Sequence, residues 1–143
     1  MPYIYLDDIA TADIAFRATA ESLEELFIAA ADATVNVMVE DLDVIAAKEI
    51  RAFSLENVSL EMLLFNYLQE FIFYKDAESL MLRATEVSVK KAGDHYSLKG
   101  EAKGESIDYS KYEIIVDVKA VTMCQFEVKE TAQGWESTVV LDI

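Results

Sequence analysis

The chain predicts an α+β fold, a largely antiparallel sheet with two helices packed on one face, and three observations predict it. Two stretches carry apolar residues at helical spacing behind residues that cap helices. Eight others alternate apolar and polar residues at period two and are separated mostly by short polar turns. Their order is strands, helix, strand, helix, then a long run of strands, which places two helices against one sheet.

In chain order, "YIYL" and "DIAFRAT" are the opening strands. Ser22 followed by Glu25 forms a capping box, and Leu23, Leu26, Phe27, Ala30, Thr34, Val37 and Met38 recur at helical spacing, so a helix is expected from about Leu23 to about Val39. "KEIRAFSL" is the next strand. Ser59 is the N-cap of a second helix carrying Leu60, Leu63, Leu64, Tyr67, Leu68, Phe71 and Ile72 on one broad stripe. "TEVSVKKA" and "YSLKGEAKG" flank Gly93 and Asp94, a hairpin turn that leaves His95 exposed. "IIVDVKAV", "QFEVKET" and "WESTVVLDI" complete the strands.

Nothing divides the 143 residues: there is no repeat or low-complexity stretch and the single proline, Pro2, is terminal, so one domain over residues 1–143 is expected. No apolar run is long enough to span a bilayer, and "MPYIYLDD" lacks the segments of a signal peptide. One cysteine, Cys124, excludes an internal disulfide, and a cytoplasmic location is the expectation.

Twenty-seven acidic residues against 12 basic ones give a formal charge of −15, which repels phosphate backbones and argues against direct nucleic-acid binding. Acidity of this kind supports solubility in most proteins, and a cation or a basic protein partner in some. The lone His95 excludes a histidine-rich zinc site. The four glycines, 93, 100, 104 and 134, never form a phosphate-cradling loop.

Three acidic positions stand out. Asp13 alternates with Ala15 and Arg17, opposite the inward set Ile14, Phe16 and Ala18. Asp142 shares a face with Thr138 and Val140, while Trp135, Ser137, Val139, Leu141 and Ile143 share the other. Glu40, Asp41 and Asp43 crowd the exit of the first helix, where negative charge opposes the helix dipole and a hard cation with oxygen ligands would offset the cost. Each is equally an ordinary solvated carboxylate. Lys119 in "VDVKAVT" is a strand-face residue or pairs with a carboxylate or a partner. Cys124 is expected as a packed or half-buried thiol, and Tyr67, Phe73 and Tyr74 as packing groups.

"TADI", "SLEELFIAAA", "LLFNYLQEFIF", "KGE" to "GESID", "VKAVT" and the terminal "W…VVLDI" occur in the order and spacing of the archeases, which the chain resembles over nearly its whole length. The resemblance implies a small non-catalytic cofactor of the GTP- and metal-dependent RNA ligase that joins tRNA halves. Such a cofactor promotes guanylylation and multiple turnover of the ligase and binds a divalent cation, Ca²⁺, Mg²⁺ or Mn²⁺, through acidic residues. It implies Asp13 and Asp142 as ligands, with Glu40 or Asp41 as a third; Lys119, from its place on the strand face, is the expected partner contact. The chain departs from the family where histidines are usual, at Ala10, Tyr112 and Met123-Cys124, and has Tyr67 where tryptophan is common. Two rivals stand beside this reading: an acidic interaction module without metal, and a small metal-dependent hydrolase.

Overall fold

The computed structural model describes residues 2–7 and 13–143. In chain order the elements are β1 (Tyr3–Leu6), β2 (Ile14–Ala20), α1 (Leu23–Met38), a short 3-10 helix (Leu42–Val44), β3 (Glu49–Asn57), α2 (Leu60–Glu78), β4 (Leu80–Ala92), β5 (His95–Ser106), β6 (Ala120–Thr131) and β7 (Gly134–Asp142). The antiparallel strands form two sheets, ordered β1-β2-β7-β6 and β3-β5-β4. Both helices span the two: α1 packs on β2, β7 and β4, and α2 on β6, β3, β4 and β5.

The helices start where their caps dictate. The Ser22 hydroxyl accepts the Glu25 amide at 3.2 Å, and Ser59 accepts the Met62 amide at 3.2 Å. Each satisfies a donor that the first helical turn otherwise leaves unpaired, a contribution of about 1 kcal/mol. The stripes they launch meet in one core, where Leu26, Phe27, Leu63, Leu64, Tyr67 and Leu68 join Phe16, Leu98, Val139 and Leu141, all fully buried. Tyr67 lies at 5.6 Å from Phe53 and 5.2 Å from Phe71, ring centre to ring centre, and so packs as expected. Phe73 does not: it is exposed, on the outer face of α2.

Three segments depart from the period-two reading. β4 begins at Leu80, ahead of the expected start, because Leu80, Met81 and Leu82 are buried in succession and show no alternation. β6 breaks register between Thr122 and Glu127, with Gln125 left-handed at φ 53°. This excursion carries Phe126 onto Phe65 of α2 and leaves Cys124 exposed, not packed or half-buried as expected.

The third departure matters most. "IIVDVKAV" is a strand only from Ala120; residues 107–119 form an irregular strap that carries the chain from the β3-β5-β4 sheet to the other. The ends of both helices take some of its polar groups. The Ile115 amide donates to Met38 O at the end of α1, at 2.9 Å, and Val118 O accepts from Lys75 of α2, at 2.7 Å.

Candidate carboxylate site

β2 and β7 pair from Ala20 opposite Trp135 to Ile14 opposite Leu141, which leaves Asp13 just ahead of β2 and Asp142 at the end of β7. The pairing of β2 with β7 thus brings two carboxylates to neighbouring strand ends. Asp142 alternates with Val140, while Val139 and Leu141 point into the core, so its carboxylate belongs to the face turned from the helices. Its carbonyl accepts the Lys119 amide at 2.7 Å. Lys119 is itself exposed beside this end of β7.

A cleft of about 360 Å³ opens at the same end, lined by Asp7, Asp13, Tyr5, Asn36, Ile115 and Val116 among others. Asn36 organises it. Its carbonyl oxygen accepts from the Tyr3 hydroxyl at 3.1 Å, and its amide donates to Val39 O at 3.0 Å and Glu40 O at 2.9 Å. The exit of α1 is therefore tied down beside Asp13, with the Glu40 and Asp41 side chains exposed.

The acidic run after α1 finds protein partners of its own. Asp41 accepts the Asp43 amide at 3.0 Å and so caps the 3-10 helix, and Asp43 pairs with Arg83 at 3.2 Å. These contacts offset the charge that the helix dipole disfavours. Among the described residues no three His, Cys, Asp or Glu side chains gather as a metal-holding cluster. Asp13 and Asp142 lie at the ends of neighbouring strands, and Glu40 and Asp41 do not join them in such a group. Ala10, like Thr11 and Ala12 of the "TAD" segment, lies outside the described residues. Tyr112 is half-buried, and its hydroxyl has no partner among the described residues.

Lys75 escaped the sequence reading. It is 6% exposed and contacts both Asp76, at 2.9 Å, and Asp117 of the strap. Burial works against its charge, but the hydrogen bonds and charges of Asp117 and Asp76 prevail and hold its pKa above the ordinary lysine value. The signal was present in its position: Lys75 continues the stripe four residues beyond Phe71 and three beyond Ile72.

Comparison with known proteins agrees over the full fold. The pattern of the Archease protein family (MTH1598/TM1083) matches residues 3–143. The protein archease of Pyrococcus abyssi is 38% identical over 134 residues, covering 93% of this chain and 94% of that one. That of Methanosarcina barkeri is 35% identical over 142 residues, covering 99% and 95%. The solution structure of Methanobacterium thermoautotrophicum protein 1598 superposes with a TM-score of 0.85 at 31% identity, covering 99% of each chain. A crystal structure from Thermotoga maritima, described as an archease and possible chaperone, shares the fold with a TM-score of 0.57 at 17% identity, covering 98% of each chain. The chain belongs to the archease family.

Proposed function

We propose that this protein is a non-catalytic accessory factor that activates the GTP- and metal-dependent RNA ligase of tRNA splicing, promoting its guanylylation and multiple turnover. Family membership supports the class of role, and the observation that carries the site is the pairing of β2 with β7, which leaves Asp13 and Asp142 at neighbouring strand ends. Carboxylate oxygens are donors that suit hard cations such as Ca²⁺, Mg²⁺ or Mn²⁺ and not zinc. A bound divalent cation supplies positive charge that holds the two strand ends together and offers further coordination positions to a partner. Asp13 and Asp142 are its ligands in this reading. Glu40 and Asp41 are weaker candidates, since Asp41 already serves as a cap.

The charge of −15 suits docking on a basic, RNA-binding enzyme and not on RNA itself, and such docking weakens with salt. Lys119, exposed and bonded through its backbone to Asp142, is the partner contact in this reading. The decisive experiment is guanylylation and multiple-turnover joining by the ligase of the same organism, with substoichiometric wild type or Asp142→Ala. Stimulation by wild type alone supports the reading; equal stimulation by a folded Asp142→Ala removes the carboxylates from it.

The absence of a three-acid cluster among the described residues favours one alternative, an acidic interaction module that needs no metal. Calorimetry separates the two. Partner binding that persists unchanged in chelator, with no heat from Ca²⁺, Mg²⁺ or Mn²⁺, selects the module.

A further inference from the structure

A lysine at the end of an apolar stripe is an expensive choice. Lys75 is 6% exposed, and a buried ammonium loses its hydration unless acceptors replace it. For stability alone an apolar side chain of similar volume often serves as well. What an ammonium adds is direction, through three N–H donors. All three have acceptors here: Asp76 at 2.9 Å, Asp117, and the carbonyl of Val118 at 2.7 Å. Two of the three belong to the strap.

The third acceptor has a particular consequence. The Val118 carbonyl and the Lys119 amide are the two ends of one planar peptide group. Lys75 holds the carbonyl end, and the amide end donates to Asp142 O at 2.7 Å. One rigid plane thus links α2 to the end of β7, and hydrogen bonds in such a series polarise one another. The Val118 side chain, fully buried, plugs the same peptide into the core. Elsewhere between residues 113 and 119, the Ile115 amide bonded to Met38 is the other backbone anchor recorded among the described residues.

We infer that Lys75 is a positioning residue for the carboxylate rim: by clamping the Val118–Lys119 peptide it sets where Asp142 and the Lys119 side chain stand. The importance of this for ligase activation rests on the proposed function, but the positioning itself does not. Lys75 touches neither a cation nor a partner. It acts through the strap.

The test uses the full chain, observed by amide hydrogen exchange and by the Asp142 carbonyl carbon resonance. Lys75→Met removes the clamp. Asp117→Asn, at an exposed carboxylate, weakens it without altering buried volume, so the experiment survives a misfolded Lys75→Met. Leu98→Ala, in the core but away from the strap, controls for plain loss of stability. The expected result is exchange at Lys119 about tenfold faster in Lys75→Met, one hydrogen bond's worth of protection, with a shifted Asp142 resonance. Asp117→Asn should move both in the same direction by less, and Leu98→Ala should leave the Asp142 resonance in place.

An unmoved Asp142 resonance in both clamp variants overturns the inference, as does an equal shift in Leu98→Ala. Ligase stimulation is read on the same samples. If wild type fails to stimulate, the proposed function falls while exchange and resonance still decide the positioning. If wild type stimulates and Lys75→Met, folded and with a displaced Asp142, stimulates equally, the positioning stands without a role in activation.

Discussion

Asp13 precedes Ile14 and Asp142 follows Leu141, the last paired residues of β2 and β7, so two carboxylates of like charge close neighbouring antiparallel strands. Directly opposed like charges weaken a strand pair by roughly 0.2–1 kcal/mol. In chelator, Asp13→Asn and Asp142→Asn are each expected to raise stability by about that amount. Ca²⁺ should raise the melting temperature of wild type and lose that effect in either variant, because a ligand stabilises only the state that binds it. Thermal unfolding with and without Ca²⁺ checks both halves. A Ca²⁺ response of wild-type size in both variants would take the cation away from this pair.

Tyr67 gives a prediction about the core. Its ring is fully buried against Phe27, Phe53 and Phe71, yet its hydroxyl has no hydrogen-bond partner among the described residues. Burial pushes its pKa well above the ordinary tyrosine value, with the charge of Asp32 adding to the effect, so the hydroxyl stays neutral. Tyr67→Phe removes an unpaired polar atom and keeps the ring, and is expected to stabilise the fold by about 1 kcal/mol. Urea unfolding should show a higher midpoint at unchanged slope. A lower midpoint would mean that the hydroxyl is held by a partner such as water.

The helices were legible because their determinants are local. Ser22 and Ser59 lie a few residues from the donors they cap, and each stripe is written within its own helix. The strap was not, because "IIVDVKAV" alternates like a strand while its hydrogen-bond partners, Met38 and Lys75, are remote in sequence. The division into two sheets is likewise a matter of pairing, which period-two alternation does not encode. Asp13 and Asp142 stood out singly, as charges on otherwise apolar strands, and the resemblance named them as ligands. Their placement at neighbouring strand ends depends on the pairing of β2 with β7, elements near opposite ends of the chain.

Arg83 joins three elements, pairing with Asp32 of α1 at 3.3 Å and with Asp43 at 3.2 Å. Burial raises the Asp32 carboxyl above its ordinary 3.8, with the hydrogen bond and charge of Arg83 pulling it back. A group whose pKa is raised by folding contributes fully below its unfolded pKa and loses that contribution as pH climbs through the folded one. Arg83→Met removes the moderating partner, so the Asp32 pKa should climb further. The variant is expected to lose about 1–3 kcal/mol near neutral pH and distinctly less as acidification protonates Asp32, down to its ordinary 3.8. Chemical denaturation at neutral and at acid pH measures the difference, and an equal loss at both would exclude Asp32 as its source.

Glu105 has the opposite sign. Its buried side chain accepts from Lys111 at 2.6 Å and from the Ala46 amide at 3.1 Å, pinning the start of the strap to the segment before β3. The Lys111 hydrogen bond leads in holding the Glu105 pKa below its ordinary 4.5, against the effect of burial. A depressed carboxyl contributes stability above its unfolded pKa and loses it as pH falls through the folded one. Glu105→Gln should therefore be less stable than wild type at neutral pH, and the gap should narrow as pH falls below 4.5 and wild type itself becomes protonated. Because Lys111 lies in the strap, exchange should quicken at the Lys111 and Tyr112 amides, which both bond to Asp108 O, before it quickens in β5. A stability gap that stays constant from neutral pH into acid would show that Glu105 acts by packing and not by charge.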